Sequence, residues 1–502
     1  MRTTELITAL ANTLLVCGLC VAIAVPLGCL LALLLFRTDV YGRRSAWVML
    51  GSQLAVPLYV FAGGWSAGVG VQGWLSAWAG TLPGLALEAG VGALLAVSAI
   101  HALAAIPWVC LICSLGLVWT QRSQEETAYV DGGLSYALRF SVLPKLRIWI
   151  AAGCLWCLLP VLTEMVVSNL YQVPTLAEQI YLDASRGGLS PATYLVGTLG
   201  CMLPLLLFGG LFLRRCPAWQ AVVFNLAHHR APPLALGRWR GLCSGLLWLI
   251  VLGLVALPMV NLLIKAGWQP WVDKAGKVHY AWQLGRLLTT LQESCVLFAA
   301  EFYWSGLLAL SSTALALGLA IAGHSLARSN IARRVLVALM LILVAVPGPL
   351  VGMLTIHLLN RGQPVWLGRL YDQTLAAPVF AQQFRLLPLA WLLVATILDS
   401  ISPRAWEQAR MDGLRGVACV RRVILPQTWS LWGAACLLLA VTSVGELSST
   451  ILVLPPGVTT VSMRLFEMLH FGMRHQDSGL CCMLLLLGWS VSLVWWKTLR
   501  ER

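Results

Sequence analysis

The sequence predicts an all-α protein that crosses a membrane about eleven times and consists of two parallel copies of one module. Three observations carry that expectation. The 502 residues are 59% hydrophobic and 11% charged, with a mean hydropathy of +0.81. Apolar runs long enough to cross a hydrocarbon core of about 30 Å recur along the whole length. Two polar segments of matched spacing interrupt them, ETAYVDGGLSYALRFSVLP at 126–144 and EQARMDGLRGVACVRRVILP at 407–426. Soluble domains average about 45–50% apolar and about 25% charged residues, so this composition excludes an ordinary soluble fold.

Apolar segments lie at 8–36, 46–64, 91–118, 148–170 and 192–213, then at 242–264, 300–324, 335–357, 384–400, 429–452 and 478–496. The first is long, contains Pro26 and lacks both an early basic cluster and a small-residue cleavage site. It is therefore read as a retained span and not a signal peptide. Orientation follows from lysine and arginine, which concentrate in cytoplasmic loops. With the amino terminus outside, the inner loops at 37–44, 122–147, 214–240, 328–334, 404–422 and 497–502 hold 23 of the 34 basic residues. The opposite orientation inverts that ratio. Both polar segments and the carboxyl terminus then face the cytoplasm. The net charge of +14 is explained by these loops and implies no nucleic-acid partner.

The fifteen cysteines include three Cys-x-x-Cys spacings, at Cys17 and Cys20, Cys110 and Cys113, and Cys154 and Cys157. All lie inside apolar runs, where cysteine serves as a small hydrophobe. The eight histidines are dispersed. No metal site, cofactor site or catalytic set is expected.

The internal repeat is read from ordered anchors. Glu126, Ala128, Asp131 and Gly132 match Glu407, Ala409, Asp412 and Gly413 at identical spacing. Each block runs on to Leu-Pro, ending at Pro144 and Pro426. Ala-Val-Pro precedes each block, at 55–57 and 345–347, and a glutamate follows each proline by twenty residues, Glu164 and Glu446. The expected modules are 1–230 and 240–502, the second with an extra leading helix at 242–264. They share one orientation, so the repeat is parallel.

Local chemistry predicts a short helix outside the bilayer in each polar block. Ser123 and Glu126 form a capping box in the first, and Ser402 with Pro403 makes a cap and first turn in the second. Gly132 and Gly413 are expected to reverse the chain at the helix ends through positive φ. Pro144 and Pro426 open the following spans.

These residues resemble the cytoplasmic EAA loop of ABC-importer permeases with the type I fold, and the resemblance extends over nearly the whole chain. Departures are Thr127, Tyr129 and Gly133 in the first copy and Gln408 in the second. The family resemblance implies that each loop forms a coupling helix docked on an ATP-binding subunit. The coupling residues would be Glu126, Ala128, Asp131, Gly132 and Pro144, with Glu407, Ala409, Asp412, Gly413 and Pro426. The chain has no GxxxxGK[ST] phosphate loop, so ATP would be bound and hydrolysed by two partner subunits. A solute-binding protein outside the bacterial inner membrane would deliver substrate. GELSSTILVLPPGVTTVSMRLFEMLHFG at 445–472 and VPLYVFAGGW at 56–65 resemble permeases of ferric-iron importers. Thiamine, polyamine and sulfate permeases are close cousins and remain substrate alternatives.

Glu164 and Glu446 are candidate residues of the translocation path. Ionisable groups at membrane depth usually face an interior path. Twenty helical residues rise about 30 Å, so both acids are expected near the outer mouth, where a carboxylate ring would draw a cation. A secondary transporter or channel with an internal repeat is the alternative class. It would need ion-coupling acids within the membrane and would not need paired docking loops.

Overall fold

The computed structural model describes residues 2–70, 72–79, 90–118, 122–186, 191–215, 235–272, 278–327, 329–361, 364–414, 417–472 and 474–500. Most of the expected junction between the modules lies outside them. The first half contains α1 (Arg2–Arg37), α2 (Arg43–Gln53), α3 (Leu58–Val69), α4 (Trp74–Ala79) and α5 (Gly90–Val118). The polar α6 (Arg122–Tyr136) leads to α7 (Leu143–Thr163), α8 (Val166–Leu170), α9 (Leu176–Ser185) and α10 (Pro191–Arg215). A leading span follows, α11 (Arg240–Val251) and α12 (Leu257–Gly267), then a hairpin of β1 (Trp268–Val272) and β2 (Val278–Trp282). The second half has α13 (Leu284–Leu297), α14 (Ala299–Leu326), α15 (Asn330–Ala345), α16 (Gly348–Leu359), α17 (Val365–Gln373) and α18 (Ala376–Asp399). The polar α19 (Pro403–Met411) precedes α20 (Leu425–Gly445), α21 (Val461–Leu469) and α22 (His475–Arg500).

Eight helical spans are long and apolar enough to cross a membrane among the described residues, or ten if each of two bent pairs counts as one span. The bent pairs correct the expectation of continuous spans at 46–64 and 335–357. α2 and α3 meet at 105°, and α15 and α16 at 103°. Both breaks fall on the Ala-Val-Pro motif. Proline lacks an amide hydrogen and drives the preceding residue out of the helical region. Val346 is accordingly extended at φ −68°, ψ 125°, and Pro57 and Pro347 cap α3 and α16.

A second proline device recurs three times. The π-helical turns Ala137–Val142, Leu252–Ala256 and Val420–Ile424 immediately precede Leu143-Pro144, Leu257-Pro258 and Leu425-Pro426. A proline ring inside a helix clashes with the carbonyl four residues back, and a π-bulge widens that turn. The carbonyls concerned, of Phe140, Leu254 and Arg422, lie within the π turns. Pro144 and Pro426 thus join what precedes them to the next span by widened helix, where the sequence suggested a fresh start.

The first-half core gathers α1, α5, α7 and α10. Small residues let α1 and α5 approach closely: a Cβ on Gly28 would lie 2.6 Å from Val109. Cys17, Cys20, Cys110, Cys113 and Cys157 are buried among these apolar side chains. The halves share a second core, in which Tyr59, Val60 and Met165 pack with Leu262, Leu447 and Val461. The described residues are nearly all helical, as expected, with one short β-hairpin registered Trp268 to Trp282.

Two pairs of elements in the halves are alike. α7 and α20 each have 21 residues, each opens with Leu-Pro directly after a π turn, and each is followed by an extended glutamate, Glu164 or Glu446. The next longer helices, α9 and α21, are both N-capped by threonine, Thr175 and Thr460.

Candidate functional site

The second polar segment builds a capped surface helix. Ser402 Oγ accepts from the Ala405 amide at 3.3 Å, as the Ser-Pro pair suggested. At the other end Gly413 has φ +69°, and the Leu414 amide donates to the Ala409 carbonyl at 2.9 Å. That six-to-one bond across a left-handed glycine is a Schellman closure. Ala409 is buried, whereas Glu407, Gln408, Asp412 and Gly413 are exposed. Ala405, Gln408, Ala409 and Asp412 form one wall of a groove, and Arg422, Val423 and Gln427 the other.

The first polar segment differs. Glu126, Asp131 and Gly132 are exposed and Ala128 is half-buried. The positive φ falls on Gly133, at +74°, and not on Gly132. Gly132 is constrained differently: a Cβ there would meet Tyr136 at 2.6 Å. α6 continues past the kink at Gly133 into the π turn and α7, so its reversal is softer than that of α19. The side chain of Ser123, the expected cap, lies outside the described residues. Val130 and Met411 are both more than four-fifths exposed.

The two glutamates lie at a junction where four chain breaks converge. The Glu164 carboxylate accepts from the Val166 and Val167 amides and from Ser448 Oγ of the other half at 3.3 Å. Glu446 accepts from the Ser449 amide at 3.0 Å. Each acid therefore caps the turn that follows its own helix. The seam is close-packed: a Cβ on Gly445 would lie 2.8 Å from Pro57 of the first break, and one on Gly348 would lie 2.5 Å from Ser448.

Arg385 is the residue at this junction that sequence reasoning missed. Its guanidinium donates to the carbonyls of Val344 and Val346, the latter at 2.9 Å, and makes a long 3.5 Å contact with the Thr163 carbonyl. Glu446 and Glu164 are the acids that act on it electrostatically. The available signal was an arginine inside an apolar span; reading that span as starting at 384 put it at the rim. In fact α18 begins at Ala376, so Arg385 sits nine residues, about 14 Å, along the helix. Through its Thr163 contact the end of α7 lies beside the body of α18. Glu164, the next residue, is thereby placed beside α18.

Residues 314–499, a little over a third of the chain, match the family model for the binding-protein-dependent transport system inner membrane component. The second half thus carries a permease domain of the ABC-importer type, a transport component of a multi-pass inner-membrane protein. No curated protein is matched by the sequence.

Proposed function

We propose that the chain is a fused permease subunit of a bacterial ABC importer, a duplicated protein whose modules, 1–230 and 240–502, form both sides of one translocation path. The observation that carries this reading is the pair of polar segments with identical Glu-x-Ala-x-x-Asp-Gly spacing, each followed by a π turn and a 21-residue helix that runs to a glutamate. The family match to the second half and the two like pairs of elements in the halves support it.

The amino terminus is outside and the carboxyl terminus cytoplasmic. Two ATP-binding subunits grip α6 and α19, and a solute-binding protein delivers substrate on the other side. The permease performs no chemistry and holds no cofactor. Closure of the ATPase pair displaces α6 and α19, and the widened helices carry that displacement into α7 and α20. Each of these is a lever of about 31 Å, with Glu126, Ala128, Asp131, Gly132 and Pro144, or Glu407, Ala409, Asp412, Gly413 and Pro426, at its driven end. Glu164 and Glu446 stand at its far end, on the path. The substrate best supported is ferric iron, through the resemblance of residues 445–472 and 56–65.

Membrane vesicles containing the full transporter decide between classes. ATP-driven uptake of radioactive ferric iron, in preference to thiamine, a polyamine or sulfate, is the expected outcome. Uptake driven by a proton or sodium gradient without ATP overturns the importer reading, and preference for another solute overturns the iron assignment alone.

A further inference from the structure

We propose that Arg385 is a positioning residue that latches the path shut by binding helix ends from both halves; this rests on the permease reading above. The last carbonyls of a helix lack partners within it and carry the negative end of its dipole. Arg385 engages three such groups: Val344 and Val346 at the break after α15, and Thr163 at the last residue of α7. The first two belong to the second half and the third to the first half. A guanidinium suits this task because its five donors form a fixed planar fork, which an ammonium cannot reproduce.

The charge arrangement is asymmetric. Glu407 follows Glu126 by 281 residues, and the same offset from Arg385 leads to Ala104 on α5. The halves therefore contribute one carboxylate each, Glu164 and Glu446, but a single guanidinium serves both. Without it, two acids and two helix ends would face one another across the seam. The group holds two carboxyl groups to one guanidinium, which lets a passing cation compete with Arg385 for the same carbonyl oxygens. Opening the path parts α7 from the break at 346–347 and so breaks the long Thr163 contact first.

The latch is tested on the full chain alone, in sealed proteoliposomes, by the leak of radioactive rubidium. Loss of a charged hydrogen-bond donor in a buried site shifts an equilibrium by about tenfold or more. Arg385→Gln is expected to raise the leak by about that factor. Arg385→Gln with Glu446→Gln relieves the repulsion between the acids and is expected to recover most of the tightness. Should Arg385→Gln fail to fold, Arg385→Lys carries the test: it keeps the charge, loses the fork and is expected to leak at an intermediate rate. Wild-type tightness in the folded Arg385→Gln or Arg385→Lys protein overturns the latch. So does a double variant that leaks as fast as Arg385→Gln. Neither ATP nor a partner enters this assay, so its failure leaves the importer reading intact, and that reading's failure is detected only by the vesicle uptake experiment.

Discussion

Gly445 and Pro57 are in direct apposition across the seam: a Cβ on the glycine would stand 2.8 Å from the proline Cγ. The last residue of α20 therefore packs on the break between α2 and α3, and this contact joins an end of one half to a bend of the other.

Gly445→Val is expected to wedge this contact. Overpacking a close-packed interior costs about 1–3 kcal/mol. Thermal unfolding of the purified chain should shift downward, and the transport rate should fall. Gly433→Ala is the control, because a Cβ there meets nothing within 4 Å on the same helix. Equal behaviour of the two variants would remove the seam contact from the account.

Gly413→Ala and Gly133→Ala each place an L-residue in the left-handed region, at a cost of about 1 kcal/mol. Both should weaken the ratio of transport to ATP hydrolysis while leaving the membrane spans folded. Gly413→Ala should be the more severe, since that glycine closes its helix through the Leu414 to Ala409 bond. Gly132→Asp should also impair coupling, through collision with Tyr136 and not through φ. Parallel measurement of uptake and ATPase rate checks this ranking.

Much of this was legible in the sequence, and the reasons for the rest are physical. Span length, the Ser402 cap and the proline positions follow from local rules, and the structure carries them where they are described. The break at Ala-Val-Pro was visible as a motif, but the angle between the flanking helices depends on the neighbours that fill it. Gly132 and Gly133 are adjacent, so the pattern could not say which takes positive φ. Arg385 was visible as a charge in an apolar run, but its partners are backbone carbonyls, which leave no trace in side-chain patterns.

Glu164→Gln with Glu446→Gln keeps the shape of both acids and removes their charge. Uptake of a cationic substrate should fall strongly, while the ATP-binding partners stay attached. Near-normal uptake by a well-expressed double variant would take both residues off the path and weaken the iron assignment.

Glu178, on α9 outside the apolar spans, supplies a pH signature. Burial raises its carboxyl to about 7, against the opposing hydrogen bond from Asn169 and the charge of Arg186. Tyr181 is the neighbouring acid on its own helix, and His470 reaches the group through Asn169. The folded value exceeds the ordinary carboxylate value. The group therefore favours the folded state at low pH, and this contribution is lost as pH rises through about 7. The unfolding temperature of the wild type should decline over that window, and Glu178→Gln should flatten the decline.

The central claim, that α6 and α19 transmit force from ATP-hydrolysing partners, is tested most directly by charge reversal at the two matched glutamates. The measurement is ATP-dependent uptake into vesicles containing the full transporter with Glu126→Arg and Glu407→Arg together, alongside the ATPase activity that co-purifies with the tagged chain. The account predicts that wild type brings down ATPase activity and transports, and that the double variant is inserted normally but loses both. Full ATP-dependent uptake by the double variant, or wild-type uptake that persists after ATP is exhausted, would contradict it.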